Sequence, residues 1–488
     1  MPAFATRPVA GIALLLATVL TALSGRYGFH RDELYFLVAA DHLAWGYVDQ
    51  PPLTPLLVKI STTIFGSTPM GLRVLSTITS ALTVAVVALM AREFGNDRRG
   101  QVFAALCAAL SGFLMGVGHL ASTATYDLLA WMVIALLAIK LLRTGGRWWP
   151  ALGLAVGVAL ENKYLVVLPL GALLVAVLVL GPRQVLRSWW LPAGIGVALV
   201  IAAPNLIWQA TNGWPQLTVA GGISEDDGTE NRIMFVPLQL LQISPFLVPI
   251  WVAGFLRLWR LPTLRWARPV ALAYPLLCVV VLALGGKSYY ALPLVLVLLA
   301  AGAQPTIDWI SRSRSRRTTL SVGLVLTALT SALFTLPVVP TSSVNIVIPV
   351  NKEQGEQVGW PELAEAVSAA WQTIPADQRP QATLFAGNYG QAGALLKYGP
   401  SHGLPITYSG HMSFYDFGRP ADTQTGPVLL VEQQRTPEYE RHFSNCHQVA
   451  TFDNTLNVDN EEQGAAIVLC SAPTVLWSTL WPNVRRYY

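Results

Sequence analysis

Residues 71–99 read GLRVLSTITSALTVAVVALMAREFGNDRR, a long apolar run that ends in a short segment carrying Arg92, Arg98 and Arg99. A run of roughly 17–25 apolar residues is long enough to cross a bilayer as a helix. The same pattern recurs along the 488 residues, of which 53% are hydrophobic and 12% charged, and the mean hydropathy is +0.48. A water-soluble protein of this size cannot present such a composition to solvent. The sequence therefore predicts a mainly α-helical, polytopic membrane protein.

The basic residues lie in short clusters between the apolar runs. The formal net charge is +5 and the pI is near 9.0, but clusters confined to short loops do not form the continuous basic face that binds nucleic acid. We therefore predict no nucleic-acid partner and place the clusters in the cytoplasm by the positive-inside rule. The clusters are Arg92 with Arg98 and Arg99, Lys140 with Arg143 and Arg147, Arg183 with Arg187, Arg257 with Arg260, Arg265 and Arg268, and the segment Arg312 to Arg317.

Hydropathy predicts about eleven transmembrane helices, beginning with an uncleaved N-terminal helix. Residues 149–181 start and finish beside basic loops, so they are expected to form a hairpin of two crossings with Glu161-Asn162-Lys163-Tyr164 at its tip. The other predicted crossings are about Val9 to Leu23, Gly71 to Ala91, Val102 to Gly118, Leu128 to Leu142, Leu191 to Trp208, Met234 to Leu256, Val270 to Leu284, Ala291 to Ala303 and Leu320 to Leu336.

The chain divides into a transmembrane catalytic region, residues 1–339, and a polar C-terminal region, residues 340–488. Helix parity puts the second region outside the membrane on the outer side, where a long, ordered first loop is also expected at residues 25–70. In the C-terminal region, strand-like pieces alternate with a helical segment at Pro361 to Trp371, which indicates a small α/β domain. The strand-like pieces are Ala382 to Phe385, Val428 to Val431 and Ala465 to Leu469.

The four cysteines divide between the two regions. Cys107 and Cys278 fall inside apolar runs, which favours a packing role. Cys446 and Cys470 fall in the C-terminal region and can pair as a disulfide if this region lies in an oxidising compartment. Spacing alone leaves that pairing open.

Four acidic residues fall in the outer loops or at a helix mouth on the same side of the membrane: Asp32, Glu33, Asp49 and Asp127. An isolated carboxylate near a helix end is often a helix cap or a solvated residue. Four carboxylates on one side, beside His119, favour a functional site on the outer face.

Two lysines join this side of the membrane, Lys163 at the hairpin tip and Lys287 in Gly285-Gly286-Lys287-Ser288-Tyr289-Tyr290, and aromatic residues flank both. A lysine at a helix end commonly extends to the lipid headgroups without a catalytic purpose. The two glycines before Lys287 favour a ligand, because they let the backbone approach it closely. Together the two ammonium groups could neutralise a phosphate.

Carboxylates and lysines around one outer cavity fit a polyprenyl-phosphate sugar, whose lipid tail lies in the bilayer and whose phosphate lies at the interface. One carboxylate would remove the proton from an acceptor hydroxyl, which attacks the anomeric carbon. The lysines, and a divalent metal ion as a candidate cofactor, would stabilise the departing phosphate. A single displacement of this kind inverts the anomeric configuration.

The motifs on the outer side also resemble a known family. The stretches His30-Arg31-Asp32-Glu33-Leu34-Tyr35 and Gly46-Tyr47-Val48-Asp49-Gln50-Pro51-Pro52 are similar to the first outer loop of the family 39 glycosyltransferases, relatives of the protein O-mannosyltransferases and of the lipid A aminoarabinose transferases. This resemblance implies the GT-C fold and a polyprenyl-phosphate sugar donor. Further similar pieces are Gly118-His119-Leu120, Glu161-Asn162-Lys163-Tyr164, Gly213-Trp214-Pro215, Lys287-Ser288-Tyr289-Tyr290 and the segment Gly387 to Ala394.

The resemblance implies roles for individual residues. Asp32 becomes the candidate catalytic base, and Asp127 a second acidic group near the acceptor or the reaction centre. Asp49 becomes a candidate metal ligand, although the aminoarabinose transferases carry a glutamate at the corresponding position, so an aspartate here departs from their pattern. His119 is a candidate ligand for a metal or the acceptor, with a structural role as the alternative. Donor-phosphate binding is assigned to Lys163, Lys287 and Tyr289.

Other residues are weaker candidates for the same site. Glu33 and Tyr47 come from the first outer loop, and Asn388 and Tyr389 come from the C-terminal region, where they could line an acceptor groove. Ordinary turn chemistry is the alternative interpretation of the Gly387-Asn388-Tyr389-Gly390 segment.

The resulting prediction is an inverting membrane glycosyltransferase with its site and C-terminal domain outside the plasma (inner) membrane. A lipid or glycan transporter, or a non-catalytic envelope assembly protein, is the alternative; a transporter would carry ionisable groups near the membrane midplane. The expected partners are membrane lipids, a polyprenyl-phosphate-linked sugar and a hydroxyl acceptor in the cell envelope. An envelope lipid or glycan is favoured over protein as acceptor, and the sugar, a hexose or a pentose, is left open.

Overall fold

The computed structural model describes residues 1–432 and 439–487. Its N-terminal two thirds are helical, and all eleven runs predicted to cross the membrane form helices or closely spaced helix pairs. The helices up to residue 335 are α1 (Thr6–Leu23), α2 (Arg31–Asp41), α3 (Leu53–Phe65), α4 (Pro69–Leu72), α5 (Val74–Glu93), α6 (Arg98–Leu110), α7 (Gly112–His119), α8 (Thr123–Thr144), α9 (Trp149–Leu160), α10 (Val167–Leu180), α11 (Trp190–Thr211), α12 (Pro215–Asp226), α13 (Gly228–Ile243), α14 (Val248–Arg260), α15 (Arg268–Ala283), α16 (Leu292–Ser311) and α17 (Arg314–Thr335).

Seven helical segments in the described part of the chain are long and apolar enough to cross a membrane, and the count rises to nine if each bent helix pair is one span. The pair α6 and α7 bends by 57°, and the second pair, α13 with the helical segment Pro245–Arg260 that contains α14, bends by 80°. Ser244, with a φ of 100°, and Pro245 separate the second pair, and a proline disfavours helical geometry in the residue before it. The predicted hairpin is α9 and α10, which are shorter, at 12 and 14 residues.

Small residues let some membrane helices approach closely. A Cβ atom at Gly254 of α14 would lie 1.9 Å from the carbonyl oxygen of Leu298 in α16, and a Cβ atom at Gly302 would lie 1.9 Å from the carbonyl oxygen of Ile250. Only glycine fits at both positions, so the two backbones pack directly against each other.

The first outer loop is ordered, as predicted, and contains α2, α3 and the start of the span that includes α4. A capping box begins α2: the imidazole of His30 accepts from the Asp32 amide, and the Glu33 carboxylate accepts from the His30 amide. Because the cap fixes the first turn, the side chains of Asp32 and Glu33 project from the helix in defined and different directions.

The C-terminal region is the small α/β domain that the sequence predicts. Its five-stranded sheet has the order β2-β1-β3-β6-β5, with β1 parallel to β2 and β3, and β6 antiparallel to β3 and β5. The three predicted strands are confirmed, each within about one residue of its expected position. The strands are β1 (Thr383–Ala386), β2 (Thr407–Tyr408), β3 (Val428–Glu432), β4 (Phe443–Ser444), β5 (His447–Thr451), β6 (Ala466–Cys470) and β7 (Ala472–Pro473), and the helices are α18 (Trp360–Gln372), α19 (Tyr389–Tyr398), α20 (Phe414–Phe417) and α21 (Trp477–Leu480). Cys446 and Cys470 form a disulfide.

The first outer loop and the α/β domain share one hydrophobic core. Leu34, Tyr35 and Phe36 of α2 belong to the same buried cluster as Trp360 of α18 and Leu395 of α19. The composition of the chain therefore changes at residue 340, but the packing does not divide there. The C-terminal domain packs against the loop at residues 25–70. This shared core places C-terminal residues beside the predicted catalytic motif.

Candidate active site

Asp32 lies in the first turn of α2 and is half-buried. The amides of a first helical turn and the helix dipole both favour a negative charge at this position. The hydroxyl of Tyr389, from the C-terminal domain, donates a hydrogen bond to Asp32 Oδ1 at 2.8 Å. The candidate base is thus held by a residue 357 positions away in the sequence.

Asp49 lies in a turn in which the Tyr47 amide donates to the Gln50 carbonyl oxygen. The hydroxyl of Tyr35, one turn after Asp32 on α2, donates to the Asp49 carboxylate. The pKa of Asp49 is raised from its ordinary 3.8 to about 6. Burial is the main cause and the charge of Asp32 contributes, while the Tyr35 hydroxyl and the Lys163 ammonium lower the pKa in part. Asp32, Asp49 and Lys163 therefore share one electrostatic environment.

The two lysine-bearing segments meet at their aromatic residues. The ammonium of Lys163 lies 5.8 Å from the ring centre of Tyr289 and 5.4 Å from that of Tyr290, distances at which a cation is attracted to a ring face. Lys287 lies two residues before Tyr289 and two residues after Gly285, whose φ of 67° lies in the left-handed region that glycine adopts easily. Two segments more than 120 residues apart are thereby joined at one place.

Hydrogen bonds fix the hairpin tip that carries Lys163. The Leu53 amide at the start of α3 donates to the Glu161 carbonyl oxygen at 2.9 Å, and the Thr54 hydroxyl donates to the Asn162 side chain at 2.7 Å. Asn162 in turn donates to the Thr123 carbonyl oxygen, at the start of α8, at 2.9 Å. The tip is thus tied to the first outer loop and to the helix that carries Asp127.

Asp127 lies one turn into α8 and is 7% exposed. Lys163 is the charged group that acts most strongly on its carboxylate. Its Oδ1 atom is buried and has no hydrogen-bond partner among the residues that the structure describes. A buried carboxylate oxygen of this kind is suited to accept a hydrogen bond from a bound ligand.

Glu33 and Tyr47, both candidate site residues, are instead engaged inside the protein. Glu33 pairs with Arg73 through Oε1–Nε at 2.8 Å and Oε2–Nη2 at 2.7 Å, and both side chains have no solvent exposure. Its carboxylate also accepts from the His30 and Ala121 amides. The Tyr47 hydroxyl lies at the end of α2, where it accepts a hydrogen bond from the backbone amide of residue 44 and lies within donating distance of the carbonyl oxygens of residues 39 and 42. We assign structural roles to both.

His119 is buried against Arg73, with 3.3 Å between its Nε2 atom and Arg73 Nη1. A guanidinium only donates hydrogen bonds, so this nitrogen accepts one and faces a fixed positive charge. Such surroundings do not suit a metal ligand, and the structure does not join His119 to Asp49 in a ligand set. Across residues 1–432 and 439–487, no group of three or more His, Cys, Asp or Glu side chains is arranged to hold a metal ion. Asp49 remains a candidate ligand, and metal dependence remains a prediction.

Glu353 is a candidate site residue that the sequence analysis missed. It belongs to the 3₁₀ helix Lys352–Gln357, and its carboxylate lies 2.8 Å from His30 Nε2. The side chain is 60% exposed, so it is accessible to solvent while it contacts His30. Enclosure by protein would raise its pKa, but the His30 contact and the charges of Lys287 and Arg31 lower it to about 2. The polar segment around it has the composition of an ordinary linker, so the sequence carries no local signal for this role.

Asn388 and Tyr389, which are neighbours in the sequence, make different contacts in the structure. Asn388 caps α19 by accepting from the Gln391 amide at 2.8 Å and donates to Glu462 at 2.9 Å, so it is structural. Tyr389, the first residue of the helix, reaches Asp32. The outer-domain pair therefore contributes one residue to the site.

An apolar cleft lies between α8, α10, α15 and α16. Of these helices, α8 carries Asp127, α10 follows Lys163, and α15 and α16 flank the Lys287 segment. Trp131, Leu170, Leu173, Val270, Pro293 and Leu294 are among its lining residues. The site thus combines a polar region with an adjoining apolar one.

Comparison with known proteins reveals sequence similarity over part of the chain. The sequence profile of the dolichyl-phosphate-mannose-protein mannosyltransferase family matches residues 49–208, which include Asp49, Asp127 and Lys163. The undecaprenyl phosphate-alpha-4-amino-4-deoxy-L-arabinose arabinosyl transferase of Pseudomonas aeruginosa is 28% identical over 173 residues. That alignment spans 34% of this chain and 30% of the Pseudomonas protein.

Structural similarity extends over nearly the whole chain. ArnT from Cupriavidus metallidurans, solved bound to undecaprenyl phosphate, has a TM-score of 0.56 and 17% identity, covering 94% of this chain and 97% of ArnT. The oligosaccharyltransferase AglB from Archaeoglobus fulgidus, solved with an inhibitory peptide and a dolichol-phosphate, has a TM-score of 0.51 and 13% identity, covering 87% of this chain and 69% of AglB. Identities this low establish the fold alone. The chain therefore has the GT-C membrane fold of ArnT and, over about a third of its length, is similar in sequence to the protein mannosyltransferases and to an aminoarabinose transferase.

Proposed function

We propose that the protein is an inverting glycosyltransferase that moves a sugar from a polyprenyl phosphate to a hydroxyl acceptor on the outer face of the membrane. One observation carries this proposal: Lys163 meets the Lys287 segment at Tyr289 and Tyr290, and the helix α8 that carries Asp127 also lines an apolar cleft, starting one turn later at Trp131. Carboxylates for proton transfer, cations for a phosphate and an apolar channel for a lipid are the three parts that such a reaction requires.

The donor would bind across the boundary between the polar and the apolar regions. Its phosphate would lie near Lys163 and Lys287, where Tyr289 and Tyr290 orient the Lys163 ammonium group, and its prenyl chain would enter the cleft lined by Trp131 and Leu170. That ArnT was solved with undecaprenyl phosphate bound supports this class of donor.

The transfer would be one displacement. The Asp32 carboxylate takes the proton from the acceptor hydroxyl, whose oxygen forms a bond to the anomeric carbon on the face opposite the phosphate. The bond between the anomeric carbon and the phosphate oxygen breaks, and its electron pair leaves with the polyprenyl phosphate. Lys163 and Lys287 stabilise this developing charge, and the proton remains on Asp32. If Asp49 binds a divalent cation, that ion would add positive charge near the phosphate.

The proposed orientation puts the site and the C-terminal domain outside the inner membrane. The domain shares a core with the first outer loop, so the two lie on one side of the membrane. The Cys446–Cys470 disulfide suits an oxidising compartment, and the basic clusters suit a cytoplasmic position for the opposite loops. For the acceptor we favour an envelope glycan or lipid, and the sugar is a pentose or a hexose.

The test is transfer from radiolabelled undecaprenyl-phosphate pentose and hexose into the lipid, glycan and protein fractions of cell envelopes. Membranes carrying the wild type are compared with membranes carrying Asp32→Asn at equal expression. We expect the variant to lose at least 10²-fold of the activity, because an amide cannot accept the proton.

Asp41→Asn is the matched control, because Asp41 ends the same helix and forms only an exposed pair with Lys59. We expect this variant to keep wild-type activity. Undiminished transfer by Asp32→Asn would show that the assigned base is wrong. If the wild type consumes neither donor, the assignment as a glycosyltransferase of these donors fails.

A further inference from the structure

We propose that Tyr389 is a positioning residue for the base Asp32, so that the C-terminal domain completes the catalytic centre. The inference rests on the proposed function, in which Asp32 is the base. Its direct observation is the hydrogen bond from the Tyr389 hydroxyl to Asp32 Oδ1 at 2.8 Å, which joins α19 of the C-terminal domain to α2 of the first outer loop.

Two glycines on one face of α19 make this contact possible. A Cβ atom at Gly393 would lie 2.9 Å from the backbone of Leu34, and a Cβ atom at Gly390 would lie 3.2 Å from the Cβ atom of Arg31. The backbones of α19 and α2 therefore pack closer than larger residues would allow. The Gly-Asn-Tyr-Gly segment, for which turn chemistry was the alternative, brings the first residue of α19 to the first turn of α2.

The Tyr389 ring is held on several sides. The Arg31 guanidinium lies 4.9 Å from its centre, the Tyr35 ring 5.3 Å and the His411 ring 5.2 Å. Its backbone amide also donates to His411 Nδ1 at 3.3 Å. A ring restrained in this way has little rotamer freedom to lose, so its hydroxyl defines the position of the Asp32 carboxylate.

The two tyrosines that touch each other hold the two carboxylates of the site. Tyr389 donates to Asp32, and Tyr35 donates to Asp49. Burial raises the pKa of Tyr389 well above its ordinary value, and although Arg31 opposes this, the Asp32 charge adds to it. The phenol therefore stays protonated and donates its proton in the hydrogen bond to Asp32. Because this bond engages one lone pair of Oδ1, Oδ2 is the less engaged oxygen and the one we assign to receive the acceptor proton.

The experiment measures steady-state kinetics of the purified full-length protein in lipid nanodiscs, using the polyprenyl-phosphate sugar that the wild type consumes. Tyr389→Phe keeps the ring and removes the hydroxyl. We expect kcat to fall about tenfold to a hundredfold, because a misplaced catalytic group costs up to about 10² in rate. We expect KM for the donor to stay within about twofold, since Tyr389 does not touch the lysine segments.

The pH profile separates positioning from general packing. Loss of a hydrogen-bond donor disfavours the ionised form of a carboxylate, so the acidic limb of the kcat profile should move to higher pH in Tyr389→Phe. Tyr408→Phe is the matched control, because it makes the same change within the C-terminal domain, on the edge strand β2 and against a hydrophobic cluster separate from the one that contains α2. It should leave kcat, KM and the pH profile unchanged.

The outcomes distinguish this inference from the proposed function. If Asp32→Asn is inactive while Tyr389→Phe keeps the wild-type kcat and pH profile, the positioning role is overturned and the assignment of Asp32 stands. If Tyr389→Phe lowers kcat only in proportion to a loss of folded protein, with an unmoved pH profile, the hydrogen bond is a packing contact and the inference is also overturned. Full activity of Asp32→Asn would instead refute the proposed function.

Discussion

Asp32 and Asp49 each accept a hydrogen bond from a tyrosine, yet their surroundings differ. Asp32 lies at the first turn of a helix, where the peptide dipoles favour a negative charge. Asp49 lies in an enclosed turn, where burial raises its pKa to about 6 and the nearby Asp32 charge adds to the effect. The two carboxylates are therefore suited to different tasks, although the residue type is the same.

The raised pKa of Asp49 gives a pH prediction. Its folded-state value of about 6 exceeds its ordinary 3.8, so folding favours the protonated form, and this group lowers stability as pH rises through that window. Asp49→Asn removes the enclosed charge and should stabilise the protein at pH 7 by about 1–3 kcal/mol, with the gain disappearing near pH 4. Thermal unfolding in detergent at both pH values measures this effect.

The same variant should be less active if ionised Asp49 binds a metal ion or the sugar. Wild-type activity should then show a step near pH 6 that belongs to Asp49, in addition to the acidic limb assigned to Asp32, and the variant should lose this step while keeping that limb. Asp41→Asn, which alters an exposed aspartate, is the control. An Asp49→Asn protein with wild-type stability at pH 7 would contradict the assigned burial.

At the scale of elements, one buried ion pair joins three parts of the site. Glu33 of α2 pairs with Arg73, which begins α5, and accepts from the Ala121 amide just before α8. Arg73 also donates to the carbonyl oxygens of Ser24 and Gly28. This pair fixes the orientation of α2, and thereby the direction in which Asp32 projects.

We expect Glu33→Gln to destabilise the protein by about 3–5 kcal/mol, because it leaves the buried Arg73 without a negative partner. The double variant Glu33→Gln, Arg73→Met should recover part of this loss. Loss of monodisperse protein on heating in detergent provides the measurement. Glu230→Gln is the control, since its pair with Lys352 is exposed and should be worth less than about 1 kcal/mol. A Glu33→Gln protein as stable as the control would contradict the structural role.

At the scale of the whole molecule, the candidate site is assembled from both regions of the chain. The membrane helices present Asp127 and the lysine segments, the first outer loop presents Asp32 and Asp49, and the C-terminal domain adds Tyr389 and Glu353. The shared core of the loop and the domain fixes these parts relative to one another. Orientation in the membrane then decides in which compartment the whole site works.

The disulfide reports that orientation. Cys446 and Cys470 are 24 residues apart, and a cross-link that closes a loop of this length stabilises a fold by about 3 kcal/mol in the chain-entropy account. Intact cells should contain the pair oxidised, so a thiol-reactive polymer should shift the protein on a denaturing gel by two additional sites only after reduction. Cys446→Ser with Cys470→Ser should remove that increment and lower the unfolding temperature. If the polymer labels Cys446 and Cys470 without reduction, the two thiols are free in the cell, and the C-terminal domain then lies in a reducing compartment.

The sequence by itself determined the membrane class, the eleven helical segments and the strands of the C-terminal domain. Helix length, apolar content and strand alternation are local properties, so they can be recognised before any packing is known. The sequence also predicted that the carboxylates lie on one side of the membrane with Lys163 and Lys287, because the basic clusters indicate a topology; their position on the outer side stays a prediction.

Only the tertiary structure decided which of these residues remain open to a substrate. Glu33, His119 and Tyr47 carry the same chemical groups as the other candidate residues, but they are engaged by Arg73 and by backbone groups of the first outer loop. Glu353, which the sequence analysis missed, contacts His30, and Tyr389, which it named only as a weaker candidate, contacts Asp32, each across more than 300 residues of sequence. Such contacts depend on the docking of one folded unit on another, and burial and pairing across that interface have no local sequence signal.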